Sequence, residues 1–222
     1  MKIAVLGTGM VGRTLSARLA GLGHDVTMGT RDPEATLKRA AGDSASFGHW
    51  LEERPTVALE TFSGATAGAE LVVHAAAGAA ALSVLELAGA RNLSGKILLD
   101  TSLPLDHSHG FPPSLFLMGD DSLGEQVQRA FPEARVVKSL NTLTAPLMVD
   151  PVKLEEETSV FVSGNDAEAK RVVTDLLMSF GHTDVIDLGD ITTARGTEMA
   201  FALWVRLMGS FGTPMFNFRI VR

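Results

Sequence analysis

The stretch Ile3-Ala4-Val5-Leu6-Gly7-Thr8-Gly9-Met10-Val11-Gly12 decides how this chain is read. Ile3 to Leu6 is a short apolar run of the kind that fills a strand buried on both faces of a parallel sheet. Gly7, Gly9 and Gly12 follow at the spacing G-x-G-x-x-G, and an apolar stripe at helical spacing (Val11, Leu15, Leu19, Leu22) starts directly behind them. A strand, a glycine turn and a helix in that order give the motif its meaning. Gly7 permits the tight turn, Gly9 leaves room for a pyrophosphate against the backbone, and Gly12 lets helix and strand approach closely. The helix N-terminus then offers unpaired N–H groups and the positive end of its dipole to the phosphates. Gly7, Thr8, Gly9, Met10, Val11 and Gly12 are therefore the candidate dinucleotide-binding turn.

The end of the second strand, Asp25-Val26-Thr27-Met28, bears on which dinucleotide. An NAD site usually carries Asp or Glu at that tip to bind the ribose hydroxyls. Here the tip reads Gly29-Thr30-Arg31. A hydroxyl followed by a guanidinium suits a 2′-phosphate, because arginine presents a planar fork of donors to phosphate oxygens. Asp32 lies past the tip and is read as the N-cap of the next helix, with Pro33 at its first position. The expected cofactor is NADP, with Thr30 and Arg31 as its discriminating residues.

The chain has 222 residues, enough for one large core or for one domain plus an appendage. Its net charge is −7 and no basic run exceeds Lys38-Arg39, which argues against nucleic acid as a partner. There is no cysteine, hence no disulfide and no thiol chemistry, in keeping with a cytoplasmic protein. The first residues enter a strand directly, leaving no room for a signal peptide. The apolar run from Leu71 to Leu85 is interrupted by His74 and Gly78 and is too short to span a bilayer, so no membrane partner is expected. Tyrosine is also absent, which excludes dehydrogenase chemistry that protonates a substrate oxygen with a Tyr four residues before a Lys.

Further along, the pattern predicts a helix from Asp32 to Ala41 stopped by Gly42, and a short helix from Phe47 to Glu53. Strands follow over Thr56–Leu59, Leu71–Ala75 and Lys96–Asp100, with an alanine-rich helix running to Ala90. Ser122 and Glu125 form a capping box for a helix ending near Phe131. Strands are read over Arg135–Lys138, Ser159–Ser163 and Thr183–Leu188, with a helix from Ala167 to Phe180 between the last two. A long amphipathic segment from Thr192 to Met208 places Met199, Leu203, Trp204, Leu207 and Met208 on one side. Phe216 to Val221 reads as a final strand. Strands alternating with helices indicate an α/β, Rossmann-type, doubly wound and mostly parallel sheet with a C-terminal helical appendage. The expected organisation is a dinucleotide-binding core over residues 1–140. A smaller region, 141–222, continues the sheet and ends in the amphipathic helix and tail. That helix is expected to make a homodimer, a two-fold copy being the commonest partner for an extra apolar face.

Candidates for chemistry beyond the cofactor turn lie after the strands. They are Ala75, Ala76 and Ala77, the stretch Thr101 to Asp106, and Asn141-Thr142. The small alanines would let the ribose and nicotinamide lie flat. Asn141 would hold the carboxamide or polarise a substrate, or would simply be a turn residue. His107 is a candidate proton donor. His107 and His109, two apart on a loop, lack a third ligand at metal spacing, so no metal is expected. Arg195 and Glu198 read most simply as an intrahelical ion pair. No nucleophilic triad or paired carboxylate stands out. Hydride transfer between two bound ring systems would need none, since orientation and proximity supply much of such a rate.

Taken together, these pieces resemble the NADPH:deazaflavin (coenzyme F-420) oxidoreductases, relatives of the N-terminal domains of pyrroline-5-carboxylate reductases. Lys2 to Gly12, Gly29-Thr30-Arg31, Val136-Val137-Lys138-Ser139-Leu140-Asn141-Thr142 and Val160-Phe161-Val162-Ser163-Gly164-Asn165-Asp166 match family segments in order, over nearly the whole chain. The resemblance implies NADP along Thr8 to Val11, its 2′-phosphate at Thr30 and Arg31, and ribose and nicotinamide near Ala75 to Ala77 and Asn141. It also implies coenzyme F-420, or a flavin, as second cofactor or small-molecule acceptor. This chain departs from the family at Ala35, at Leu103 and over His74 to Ala77. Two other functions stay open: reduction of a small imine or carbonyl compound with His107 or water as proton source, and a non-catalytic NADP-binding sensor.

Overall fold

Residues 1–39 and 46–222 are described by the computed structural model. The apolar run at the N-terminus forms β1 (Lys2–Leu6), followed by α1 (Met10–Gly21) and β2 (Asp25–Thr30). Asp32 accepts a hydrogen bond from Ala35 N and caps α2 (Pro33–Lys38), with Pro33 at its start as expected. The helix stops at Lys38, with Arg39 already extended, short of the end at Ala41 expected from sequence; the glycine expected to stop it, Gly42, lies outside the described residues. Next come α3 (Phe47–Glu52), β3 (Val57–Thr61) and α4 (Phe62–Ala67), the last not anticipated from sequence. Thr61 caps α4 by accepting from Gly64 N, but the segment is small and lacks an acidic third position to announce it.

The alanine-rich stretch after β4 (Leu71–His74) differs from the single helix expected. It is a 3-10 turn over Gly78–Ala80, then α5 (Ala81–Ala88) and α6 (Ala90–Leu93). Gly89, at φ 94°, breaks the helix between them. Then follow β5 (Ile97–Asp100), a hairpin of β6 (Leu105–Asp106) and β7 (Ser114–Leu115), and α7 (Leu123–Ala130). At the start of α7 Ser122 accepts from Glu125 N as expected, but half of the capping box is replaced: Ser122 N donates to Asp121 Oδ1, and Glu125 Oε2 takes the Ser122 hydroxyl. The chain closes with β8 (Arg135–Ser139), α8 (Ala145–Val149), β9 (Ser159–Gly164), α9 (Ala167–Phe180), β10 (Asp184–Asp187) and α10 (Ala194–Phe211). Asp166 caps α9 and Gly181, in the left-handed region, ends it.

Eight strands form one sheet in the order β10-β9-β8-β5-β4-β1-β2-β3. Six run parallel; β9 lies antiparallel to β8, and β10 follows β9. The sheet is mostly parallel and Rossmann-like, as the alternation of strands and helices predicts. Alternate residues of the central strands feed two cores. Ile3, Val5, Leu71, Val73 and Leu99 pack with Leu15 and Leu19 of α1 and Val173 and Leu177 of α9. Ala4, Leu6, Val72, Leu98 and Val136 pack with α4, α5 and α7. A fully buried leucine such as Leu15 or Leu19 contributes roughly 1.5–3 kcal/mol through apolar area removed from water.

The tail is not the last strand expected over Phe216–Val221. It touches the sheet near Ser159, whose N–H donates to the Phe218 carbonyl at 2.9 Å, while Ile220 N donates to Ser159 Oγ at 2.9 Å. A side chain thus takes the bond that a second ladder rung would need.

Candidate active site

The glycine turn is shaped by what surrounds it. Gly7 sits at φ +125°, and a Cβ there would fall 2.7 Å from the Ala75 carbonyl oxygen; one on Gly12 would fall 2.1 Å from the Gly7 carbonyl oxygen. Both positions exclude a side chain. Gly9 is different, because a Cβ there would meet nothing within 4 Å. Its backbone faces open space where a pyrophosphate would lie. Gly9 is also the N-cap of α1 and supplies no capping side chain, so the first-turn amides of Met10 and Val11 keep their donors for an anion. The residues fit a dinucleotide.

On one flank Gly7 N donates to Gly29 O at 3.0 Å, which ties the turn to the end of β2. Thr30 is buried there, and its hydroxyl is engaged with Thr36 Oγ1 at 2.8 Å. Arg31 is exposed just beyond. A residue that sequence reading missed then enters: Arg39, one past α2, donates from Nη2 to Thr8 Oγ1 at 3.1 Å.

On the other flank Ala75 N donates to Leu6 O at 2.9 Å, Ala75 and Ala76 are half-buried, and Ala77 is exposed. Leu140 leaves β8 in the left-handed region at φ 63°, an uncommon conformation for a leucine. It delivers Asn141 and Thr142 as buried residues after the strand, and Asn141 Nδ2 has no hydrogen-bond partner among the described residues. His107 is exposed on the loop joining β6 to β7.

Beneath this flank lies an ionic cluster. His74, Asp100 and Lys138 are register partners across β4, β5 and β8. Lys138 is fully enclosed, and its three ammonium protons meet three acceptors: Asp100 Oδ2 at 2.9 Å, Ser102 O at 2.6 Å and Glu198 Oε1 at 2.8 Å. Asp100 Oδ1 takes His74 Nδ1 at 2.9 Å, Ser102 N at 3.0 Å and Ser102 Oγ at 2.7 Å. Glu198 also accepts the first amides of α7, Leu123 N at 2.8 Å and Gly124 N at 3.0 Å. Burial alone would raise the Asp100 pKa, but the Lys138 charge and the His74 and Ser102 hydrogen bonds hold it far below the usual carboxylate range. Burial would likewise lower Lys138, yet Asp100 and Glu198 keep it above its ordinary value.

The intrahelical Arg195–Glu198 pair is corrected by this arrangement. Glu198 turns inward to Lys138, and Arg195 instead grips Glu125 of α7 at 2.8 and 2.6 Å, holding that carboxyl below its ordinary pKa. The signal available in sequence was that His74, Asp100 and Lys138 lie at or near the ends of their strands with the same parity. Among the described residues no group of three His, Asp or Glu is arranged to hold a metal ion, and no helix is long and apolar enough to cross a membrane.

A family described as NADP oxidoreductase, coenzyme F420-dependent, matches residues 2–104. The F420-dependent NADP reductase of Methanocaldococcus jannaschii is 30% identical over 212 residues, covering 93% of this chain and 92% of that protein. The chain belongs to this family. It is an NADP-dependent oxidoreductase. A crystal structure from Arthrobacter sp. FB24, whose proposed identity is an F420-dependent NADP reductase, shares 60% identity with a TM-score of 0.97 over the whole of both chains. Metalloreductase STEAP3 of Rattus norvegicus is 31% identical over 214 residues; these are 96% of this chain, which spans only 38% of that protein.

Proposed function

We propose that this oxidoreductase transfers hydride between NADPH and a deazaflavin acceptor of the coenzyme F420 type, in the cytoplasm. The observation that carries the reading is the full-length match to an F420-dependent NADP reductase, joined to a glycine turn with space at Gly9 alone. Bound NADPH supplies the hydride. The chain's own residues bind and orient: Gly7 to Gly12 the pyrophosphate, Thr30 and Arg31 the adenosine side, Ala75 to Ala77 and Asn141 the nicotinamide side. The unpartnered Asn141 Nδ2 is a buried donor awaiting an acceptor, which suits a carboxamide oxygen. No general acid is required for such a transfer, and His107, exposed on its loop, plays no part in it. We read residues 1–140 as the cofactor-binding part and residues 141–222 as the part that completes the acceptor side and carries a dimer contact on α10.

The test is an activity screen of purified protein with NADPH against deazaflavin, FMN, ferric chelates and small imines. Deazaflavin turnover well above the others is the expected result. Turnover of ferric chelates alone would move the reading toward the chemistry that the metalloreductase name describes. Tight NADP binding with no turnover would make the chain a sensor.

A further inference from the structure

We propose that Arg39 is a second guanidinium of the adenosine-ribose pocket and selects a phosphate ester on the ribose 2′ oxygen over a free hydroxyl. This rests on the NADP reading of the glycine turn. The fold places Arg39 there through α2. That helix is fastened at the β2 tip by the buried Thr30–Thr36 hydroxyl pair and by the Asp32 cap, so the chain returns toward the glycine turn as it leaves Lys38. The next residue reaches Thr8 Oγ1 with Nη2 at 3.1 Å. Thr8 sits inside the turn and Arg31 just past the strand tip. The gap where an adenosine ribose approaches the sheet thus has the turn on one side and a guanidinium at each end of α2.

Three features make this a phosphate-reading site. The buried Thr30 hydroxyl meets Thr36 Oγ1 and is fixed at the strand tip, so the charged donors of the pocket are the two guanidinium groups. The strand tip itself reads Gly29-Thr30-Arg31 and carries no Asp or Glu, the acceptor with which an unphosphorylated ribose is usually held; Asp32, one residue on, caps α2 through Ala35 N. A guanidinium carries five N–H donors, and Thr8 uses one of those on Arg39. Among the described residues its other donors have no partner, and such a fork meets phosphate oxygens two at a time. Among the described residues neither Arg31 nor Arg39 is paired with a carboxylate, in a chain whose net charge is −7.

The experiment compares wild type, Arg39→Ala and Arg39→Lys by calorimetry with 2′,5′-ADP and 5′-AMP as probes, alongside melting curves of the free proteins. Wild type should bind 2′,5′-ADP more tightly than 5′-AMP. Arg39→Ala should weaken 2′,5′-ADP by about tenfold or more, the worth of one charge-assisted hydrogen bond, with 5′-AMP changed by less than about twofold. Arg39→Lys should recover part of the loss, because it restores the charge without the fork. Equal losses for both probes would show that Arg39 only braces the turn through Thr8, and no loss for either would remove it from the pocket; both results overturn the proposal. A wild type that does not separate the two probes would overturn the NADP reading along with it.

Discussion

Arg31 leaves β2 with no described carboxylate partner, so its charge is available to a ligand. Replacing it with alanine should weaken NADPH by about 1.5–3 kcal/mol while leaving NADH nearly unchanged, as read by fluorescence titration of the two cofactors. Equal losses would mean that Arg31 acts on the turn and not on the phosphate. Gly9 gives a sharper contrast. A side chain there meets nothing in the free protein, so Gly9→Val should melt close to wild type and yet lose nucleotide binding in calorimetry. Retained affinity would show that the glycines only shape a turn. The glycine triplet was legible because its spacing carries its geometry. The pairing of Thr30 with Thr36 and the role of Arg39 were not, because one depends on a hydroxyl partner six residues on and the other on the path of the chain around α2.

Strand and helix boundaries were legible wherever a cap or a glycine fixes them, as at Asp32, Ser122, Asp166 and Gly181. The course of α10 was not. Its buried stripe is Ala194, Thr197, Glu198, Phe201 and Val205, and the apolar face read from sequence is left half-covered, because a buried Lys138 draws Glu198 inward. Lys138 thereby joins three strand ends to α7 and α10. Lys138→Met would leave Asp100 and Glu198 enclosed without their cation and should cost about 3–5 kcal/mol at pH 8. The pH dependence carries the sign. In wild type the lowered Asp100 pKa gives stability that is present above its unfolded value and lost as pH falls below it. The raised Lys138 pKa gives stability that is present below its unfolded value and lost as pH rises through the folded one. Between those limits neither Asp100 nor Lys138 adds slope. In Lys138→Met the unpaired carboxylates prefer protons, so the deficit against wild type should shrink as melts are taken from pH 8 to pH 5.5. A deficit constant over that range would mean that the cluster is held by packing and not by charge.

At the scale of the whole molecule, Met199 and Leu203 of α10 stay exposed, Leu203 at 56%, whereas Trp204 is covered by the chain's own tail. The reading of α10 as a homodimer surface therefore rests on Leu203. Light scattering should give about twice the 23.5 kDa chain mass for wild type and the chain mass for Leu203→Glu; a monomeric, fully active wild type would end that reading. The tail has a consequence of its own. Trp204 is stacked on Phe201 at 6.0 Å and on Phe216 at 5.3 Å, while Trp50 lies with Phe47 and beneath the Arg54 guanidinium. With two tryptophans and no tyrosine in the sequence, near-ultraviolet emission comes from those two indoles. In Trp50→Phe the protein would carry a single emitter set against its own C-terminal tail. Any acceptor that lifts Phe216 off Trp204 would then announce itself as a red shift in the glow of one side chain, without a label.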